Sequence, residues 1–219
     1  MKKEKILLFI LAAVQFTHIV DFMIIMPLGP QLMRLFEITP IQFAVLVSSY
    51  TFSAGVIGFL FAFIADRFDR KIILMISYIG FTIGTIGCGF SESFDVLLAA
   101  RIFTGAFGGV MNALVYSIVA DVFPFERRGK AMGVVMSAFS FASALGVPFA
   151  LFLAGKFNWQ FPFYFLGGSG IFIIYGIYRF IPGGMNVTSG RTDGDKIYTF
   201  LGKIGANKNL MLALLFMFL

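Results

Sequence analysis

Three ionisable side chains, His18, Asp21 and Arg101, lie within long apolar stretches of this 219-residue chain. His18 and Asp21 are three residues apart and Gln15 lies three residues before them, so a helix places all three on one face. Charge is expensive to bury in an apolar environment, and such residues normally face an interior cavity and find partners there. The set combines a carboxylate that can exchange a proton with a permanent cation and an imidazole that titrates near neutral pH.

The composition indicates that lipid is the solvent for most of the surface. The chain is 59% hydrophobic and 13% charged, whereas a soluble domain carries about a quarter charged residues. The single cysteine, Cys88, excludes an internal disulfide framework or a cysteine metal cluster. We find no phosphate-binding glycine loop and no nucleophile paired with a base. The sequence therefore predicts neither an enzyme nor a cofactor, metal or nucleic-acid site.

Six apolar stretches have the length of about 20 residues that a membrane-spanning helix needs. They cover residues 6–28, 43–64, 72–90, 96–120, 131–153 and 161–181. The first follows a basic start, but it is too long for a cleaved signal peptide and leads into further spans. We predict an all-α, integral membrane helical bundle over residues 1–181, an interdomain loop over 182–208, and the start of a truncated seventh transmembrane helix over 209–219.

Basic residues mark alternate connections between these spans. Of the 17 lysines and arginines, 14 lie before the first span, in two short loops near residues 70 and 128, or after residue 178. Such a bias places the N-terminus and both short loops in the cytoplasm, as expected for a bacterial inner-membrane protein.

Three motifs lie at the boundaries or within the depth of these spans. They read AFIADRFDRK at 62–71, DVFPFERRG at 121–129 and RIFTGAFGG at 101–109. In these motifs the chain resembles the major facilitator superfamily of secondary transporters, specifically the first six-helix half. The superfamily's loop motif is approximately Gly-x-Leu-Ala-Asp-Arg-x-Gly-Arg-Lys, so Ala62 and Asp69 replace its two glycines.

The resemblance implies a cytoplasmic latch in these loops. Asp66 would accept hydrogen bonds from a helix N-terminus in the other half of the transporter, and Arg70 would pair with Asp121. The remaining members of the implied latch are Arg67, Lys71 and Arg128. The alternative is a solvated loop whose charges only set the orientation in the membrane.

The resemblance also implies roles inside the membrane. Asp21, followed by Pro27, resembles the acidic residue in the first helix of drug/proton antiporters, and Arg101 matches the superfamily's fourth-helix arginine. These residues, with His18, are candidates for proton coupling. The alternatives are a permanent Asp21–Arg101 bridge and, for His18, an ordinary polar core residue. Gln15 and Asn112 are candidates for a substrate cavity.

Small residues and one proline predict how the helices pack. Glycine pairs at 80 and 84, 105 and 109, and 129 and 133 have the spacing that lets helix backbones approach closely. Among them we assign packing roles to Gly105 and Gly109. Gly146 and Pro148 lie in a stretch that matches the antiporter motif of the fifth helix poorly, but the proline is expected to kink the helix.

These patterns together predict a transporter. The resemblance implies proton-coupled efflux of a small organic solute, such as a drug or a sugar, by alternating access. It also implies that the lipid bilayer, the substrate, protons and a missing C-terminal six-helix half or a second copy are the partners. Two alternatives remain: a six-helix protein that dimerises to form the pathway, and a non-transporting sensor or subunit on the same scaffold.

Overall fold

The computed structural model describes residues 2–62 and 68–184, and these residues form helices without any strand. The helices are α1 (Lys2–Leu35), α2 (Pro40–Ala62), α3 (Arg70–Gly89), α4 (Phe94–Val122), α5 (Phe125–Phe141), α6 (Val147–Lys156) and α7 (Phe161–Phe180). A π-helical turn, Ala142–Gly146, joins α5 to α6. The predicted all-α fold is confirmed. Most of the expected interdomain loop and all of the expected seventh helix lie outside the described residues.

Six helical segments are long and apolar enough to cross a membrane, as predicted for this part of the chain. The fifth of them, Phe125–Lys156, comprises α5, the π-helical turn and α6. The first helix extends further than the sequence analysis expected, since it passes Pro27 and Pro30 and ends at Leu35. Each proline removes one helical hydrogen bond. The predicted end near residue 28 was therefore wrong, because the helix continues through both prolines.

Short connections with side-chain caps reverse the chain between neighbouring helices. At the start of α2, the Gln42 side chain accepts a hydrogen bond from the Thr39 backbone N–H at 2.8 Å. The Gln42 backbone N–H donates in return to the Thr39 hydroxyl at 3.3 Å, which completes a capping box. Ser93 caps α4 by accepting from the Val96 N–H. Consecutive spans are therefore antiparallel, and residues far apart in sequence come to the same depth.

Close backbone contact joins α2 to α4. A side chain at Gly109 would collide with the backbone of Ala54, and one at Gly105 would collide with the backbone of Tyr50. Both glycines therefore let the two backbones approach closely. At Gly129 and Gly133, by contrast, no described atom lies within 4 Å of a Cβ.

A π-helical turn directly precedes α6, in which Pro148 is the second residue. Pro148 has no backbone N–H, and the Val147 N–H donates to the Ala142 carbonyl across a wider turn than in an α-helix. Gly146 ends this turn against α1, where a Cβ would lie 3.0 Å from the Phe16 ring. The fifth span is thus irregular where it packs on the first.

Two apolar clusters form the core, one toward each end of the bundle. The first includes Leu11, Leu74 and Ile118, and the second includes Ile24, Leu97 and Phe163. Buried polar side chains lie between the two clusters. This central polar layer comprises Gln15, Thr17, Asp21, Tyr50, Thr82, Thr85, Arg101 and Thr104, with His18 at its margin. The polar stripe of α1 therefore faces the interior of the bundle.

Candidate functional site

A fully buried ion pair lies in the central polar layer. Arg101 of α4 donates from Nη1 to Asp21 Oδ2 of α1 at 2.8 Å. The same nitrogen lies 3.2 Å from the backbone carbonyl oxygen of Asp21. The exposed fractions of the two side chains are 1% for Arg101 and 0% for Asp21. Low polarity strengthens their attraction, and it also makes either charge costly without the other.

Four helices each contribute a residue to this site. Besides Asp21 from α1 and Arg101 from α4, Thr85 of α3 donates its hydroxyl to Asp21 Oδ1 at 3.0 Å. Tyr50 of α2 places its ring centroid 4.3 Å from the guanidinium carbon of Arg101. Both carboxylate oxygens of Asp21 are therefore engaged, and Arg101 lies between a carboxylate and an aromatic ring.

Sequence reasoning missed Tyr50 and Thr85. Neither belongs to a charged motif, and both lie in apolar helices where their types are equally compatible with a lipid-facing position. Tyr50 is buried, and its hydroxyl has no hydrogen-bond partner among the described residues.

The other polar residues of α1 lie beside the ion pair rather than in it. The Gln15 side chain donates to Asn112 Oδ1 of α4 at 2.7 Å, so both substrate-cavity candidates contact each other. His18 is half-buried and its ring lies 6.1 Å from that of Tyr50 and 5.9 Å from that of Phe81. Buried acceptor or donor atoms of Gln15 and His18 have no partner in the part of the chain that the structure describes.

A second charged cluster lies at one end of the bundle. Arg70 Nε is 2.8 Å from Asp121 Oδ2, which joins α3 to the last turn of α4. Lys71 donates to the backbone carbonyl of Tyr178 in α7 at 2.8 Å. Arg128 donates instead to the Phe123 carbonyl at 3.0 Å. The geometry thus brings together Arg70 and Asp121 of the expected latch, whereas Asp66 and Arg67 lie outside the described residues.

Asp69, which replaces a glycine of the superfamily motif, has two contacts of its own. One carboxylate oxygen caps α3 by accepting from the Lys71 N–H at 2.8 Å. The other accepts from the backbone N–H of Gly184, just after α7. The carboxylate therefore connects the start of α3 to the segment that leaves the bundle, a role that a glycine cannot perform.

An apolar groove runs between α1 and α5. Its volume is about 790 Å³, and its walls include Phe9, Phe16 and Phe141. Lys5, Glu4, Arg127 and Lys130 line its charged end. Neither Gln15 nor Asn112 is among its lining residues, so these two candidates lie outside this groove.

Nearly the whole chain matches a known protein family. The family model described as Major Facilitator Superfamily matches residues 11–219. The chain belongs to the major facilitator superfamily. It is 32% identical over 157 residues to the uncharacterised MFS-type transporter YcnB of Bacillus subtilis (strain 168), covering 72% of this chain and 33% of that protein. The superfamily expected from the three motifs is thereby confirmed.

Other members of the superfamily differ in their described activities. Multidrug resistance protein 3 of Bacillus subtilis (strain 168) is 27% identical over 63% of this chain and 28% of its own length. The vacuolar membrane amino acid uptake transporter fnx2 of Schizosaccharomyces pombe is 34% identical over 53% of this chain and 20% of its own length. The chain spans about a third of the length of the first curated relatives that it matches.

Solved structures of the superfamily show the same fold. A bacterial homologue of the human lysosomal transporter Spinster, in an inward-facing and unoccupied conformation, matches with a TM-score of 0.70 at 22% identity. The match covers 94% of this chain and 50% of that structure. The proton:xylose symporter XylE matches with a TM-score of 0.73 at 16% identity, over 81% of this chain and 44% of its own. At these identities the likeness concerns the fold alone.

Proposed function

We propose that this bundle is the N-terminal half of a secondary active transporter that couples proton movement to the efflux of a small organic solute. The observation that carries the proposal is the Asp21–Arg101 ion pair, which is fully buried within the apolar membrane-spanning helices. Membership of a transporter superfamily supports the reaction class. An ionisable pair at that depth is a functional-site hypothesis because it is costly to maintain there.

The proposed chemistry is proton exchange at the Asp21 carboxyl group. In the described state the carboxylate accepts hydrogen bonds from Thr85 and Arg101 and has no exposed surface. A rearrangement that separates α1 from α4 would expose the carboxylate to one side of the membrane and allow it to take up a proton. Once neutral, Asp21 would attract Arg101 less strongly, and the two states of the transporter would differ in stability.

We propose that the charged cluster at the end of the bundle controls that rearrangement. The contacts of Arg70 with Asp121 and of Lys71 with α7 hold three helices together at one end of the bundle. We assign Asp66, Arg67 and Arg128 to the same latch from their motif positions, with Asp66 reaching the second half. In this proposal the contact of Asp66 with the second half breaks when this end opens, which links the latch to alternating access.

The proposed orientation places this charged end in the cytoplasm. Arg127 lies 3.6 Å from Glu4, so the start of α5 is beside the start of α1. Lys5, Arg70, Lys71, Arg127, Arg128, Lys130 and Arg179 consequently gather at this end. Because basic residues accumulate on the cytoplasmic side, we infer a bacterial inner-membrane protein with its N-terminus in the cytoplasm.

The rest of the pathway requires a second bundle. The relatives are about three times as long as the matched segment, and superfamily transporters bind substrate between two six-helix halves. We propose either a C-terminal half or a second copy of this bundle as that partner. The apolar walls of the groove between α1 and α5 suit a solute with a hydrophobic part, and the similarity to multidrug resistance protein 3 supports a drug over a sugar.

The test uses the native gene product that contains these residues, in everted membrane vesicles energised with a proton gradient. Efflux of a fluorescent organic cation such as ethidium is compared for Asp21→Asn, Asp21→Glu and Asp95→Asn. Asp95 is an exposed carboxylate in the first turn of α4 and serves as the matched control. We expect Asp21→Asn to abolish gradient-dependent flux, Asp21→Glu to retain part of it, and Asp95→Asn to behave as wild type.

Two outcomes would count against the proposal. Retained gradient dependence in Asp21→Asn would show that the ion pair is a structural bridge. A flux that never depends on the gradient, for ethidium, sugars and amino acids alike, would favour the sensor or subunit alternative. The melting temperature of each purified variant in detergent separates loss of coupling from loss of folding.

A further inference from the structure

A buried arginine beside a carboxylate that takes up a proton needs another partner. Arg101 keeps its positive charge throughout the accessible pH range, because the guanidinium group does not deprotonate in proteins. The side chain is almost completely buried, and its Nε has no hydrogen-bond partner among the described residues. If Asp21 becomes neutral, Arg101 must be stabilised by a group that does not itself titrate with Asp21.

Tyr50 has the geometry for this role. The guanidinium carbon of Arg101 lies 4.3 Å from the centroid of the Tyr50 ring, within the range of a cation–π contact. Such contacts strengthen when both groups are desolvated, as they are here. The ring remains neutral when Asp21 gains or loses a proton, and its attraction for Arg101 is greater when no carboxylate charge offsets that of the guanidinium group.

Tyr50 is also held firmly against the helix that carries Arg101. A Cβ at Gly108 would lie 2.6 Å from the Tyr50 hydroxyl oxygen, so the tip of the ring lies on the α4 backbone. Gly105 brings the α4 backbone against that of Tyr50 itself. The buried residues of α2 are Leu46, Tyr50 and Ser53. Tyr50 and Arg101 therefore form one packed unit of α2 and α4, whereas Asp21 belongs to α1.

We propose that Tyr50 is a positioning residue that holds Arg101 in place while Asp21 is protonated. This inference rests on the proposed proton exchange at Asp21. Asp21 then changes its charge and its partner, whereas Arg101 and Tyr50 keep their positions relative to each other. Tyr50 acts through Arg101 and does not carry the proton itself.

The titratable and charged residues around the Asp21–Arg101 site can be assigned to individual helices. Among the described residues, the titratable groups that interact with Asp21 or Arg101 are His18 on α1, Tyr50 on α2 and Cys88 on α3. The charged residues of α5, α6 and α7 lie at the ends of those helices. The pH response of the site is therefore set by the residues of α1 to α4.

The first test is a double-mutant cycle on stability, which does not depend on transport. The variants are Tyr50→Leu and Tyr50→Phe, each made in the wild-type and Asp21→Asn backgrounds, and the readout is the melting temperature in detergent. Asn at position 21 imitates the neutral carboxyl group. We expect Tyr50→Leu to lower the melting temperature by about 3 °C more in the Asp21→Asn background than in the wild type, and Tyr50→Phe to show no such difference.

The cycle cancels the cavity that Tyr50→Leu leaves, because that cavity is present in both backgrounds. An equal loss in the two backgrounds would overturn the inference, as would an equal non-additivity for Tyr50→Phe, which keeps the ring. Because the readout is stability, this result stands whether or not transport proves to be proton-coupled.

The second test is the pH profile of gradient-driven efflux. Without the ring, the state with neutral Asp21 is less favourable, so more acid is needed to reach it. We expect the half-maximal pH of Tyr50→Leu to fall by about one unit, which is a tenfold rise in the proton concentration required. The half-maximal pH of Tyr50→Phe should match that of the wild type. An unchanged profile in Tyr50→Leu would contradict the inference while leaving the role of Asp21, tested by Asp21→Asn, intact.

Discussion

Replacing Arg101 with methionine would leave the Asp21 carboxyl group buried without the cation that now lies 2.8 Å away. At that distance, and with an effective dielectric constant of about 20, the gross attraction is about 6 kcal/mol. Much of it is offset by the cost of removing both charges from water. Breaking a buried pair by deleting one partner typically costs about 3–5 kcal/mol, because the other charge remains uncompensated. We therefore expect Arg101→Met to lower the melting temperature by about 10 °C.

Removing both charges together should restore most of that loss. Replacing a buried ion pair with neutral groups of similar volume is often neutral or stabilising, so Asp21→Asn/Arg101→Met should be within about 1 kcal/mol of the wild type. Both proteins are purified in the same detergent, and the melting temperature is followed by intrinsic fluorescence or by thiol labelling of the buried Cys88. Gradient-driven efflux is measured on the same variants in vesicles.

The double variant separates the two interpretations of the pair. If Asp21 exchanges protons, the double variant is stable but has no gradient-dependent efflux. A stable double variant that still couples flux to the gradient would refute the coupling role. A double variant as unstable as Arg101→Met would refute the energetic reasoning, because it would mean that the loss came from packing rather than from an uncompensated charge.

Three further predictions follow from other contacts. Gly109→Ala should destabilise the protein by about 1–3 kcal/mol because α2 must move away from α4, whereas Gly133→Ala, which meets no described atom, should change the melting temperature little. Asp69→Gly should cost about 1 kcal/mol through loss of the α3 cap and speed hydrogen exchange of the Gly184 N–H, and Asp69→Asn should not. An antibody against residues 182–209 should detect a native product near twice 24.2 kDa in membranes; a band near 24.2 kDa alone would favour the dimer.

Several features of the fold were predictable because they depend on local sequence. A span is recognised from its apolar length, and the basic loops are recognised from their charge, so neither requires knowledge of distant contacts. The end of α1 was not predictable in the same way. Pro27 and Pro30 disfavour a helix locally, but packing of the surrounding apolar residues, including Ile25 and Leu32, maintains the helix to Leu35.

The candidate site also has some features that depend on local sequence and others that depend on helix packing. The positions of Asp21 and Arg101 in apolar spans predict that both need interior partners, because an ionised side chain cannot remain unpaired there. The sequence leaves open which partners they have. Residues 80 positions apart meet only because α1 and α4 pack at the same depth. Helix packing likewise brings the Thr85 hydroxyl to the carboxylate and the Tyr50 ring to the guanidinium group. The rotation of α2 and α3 about their axes depends on close packing against α4, and no local pattern of an almost uniformly apolar helix specifies it.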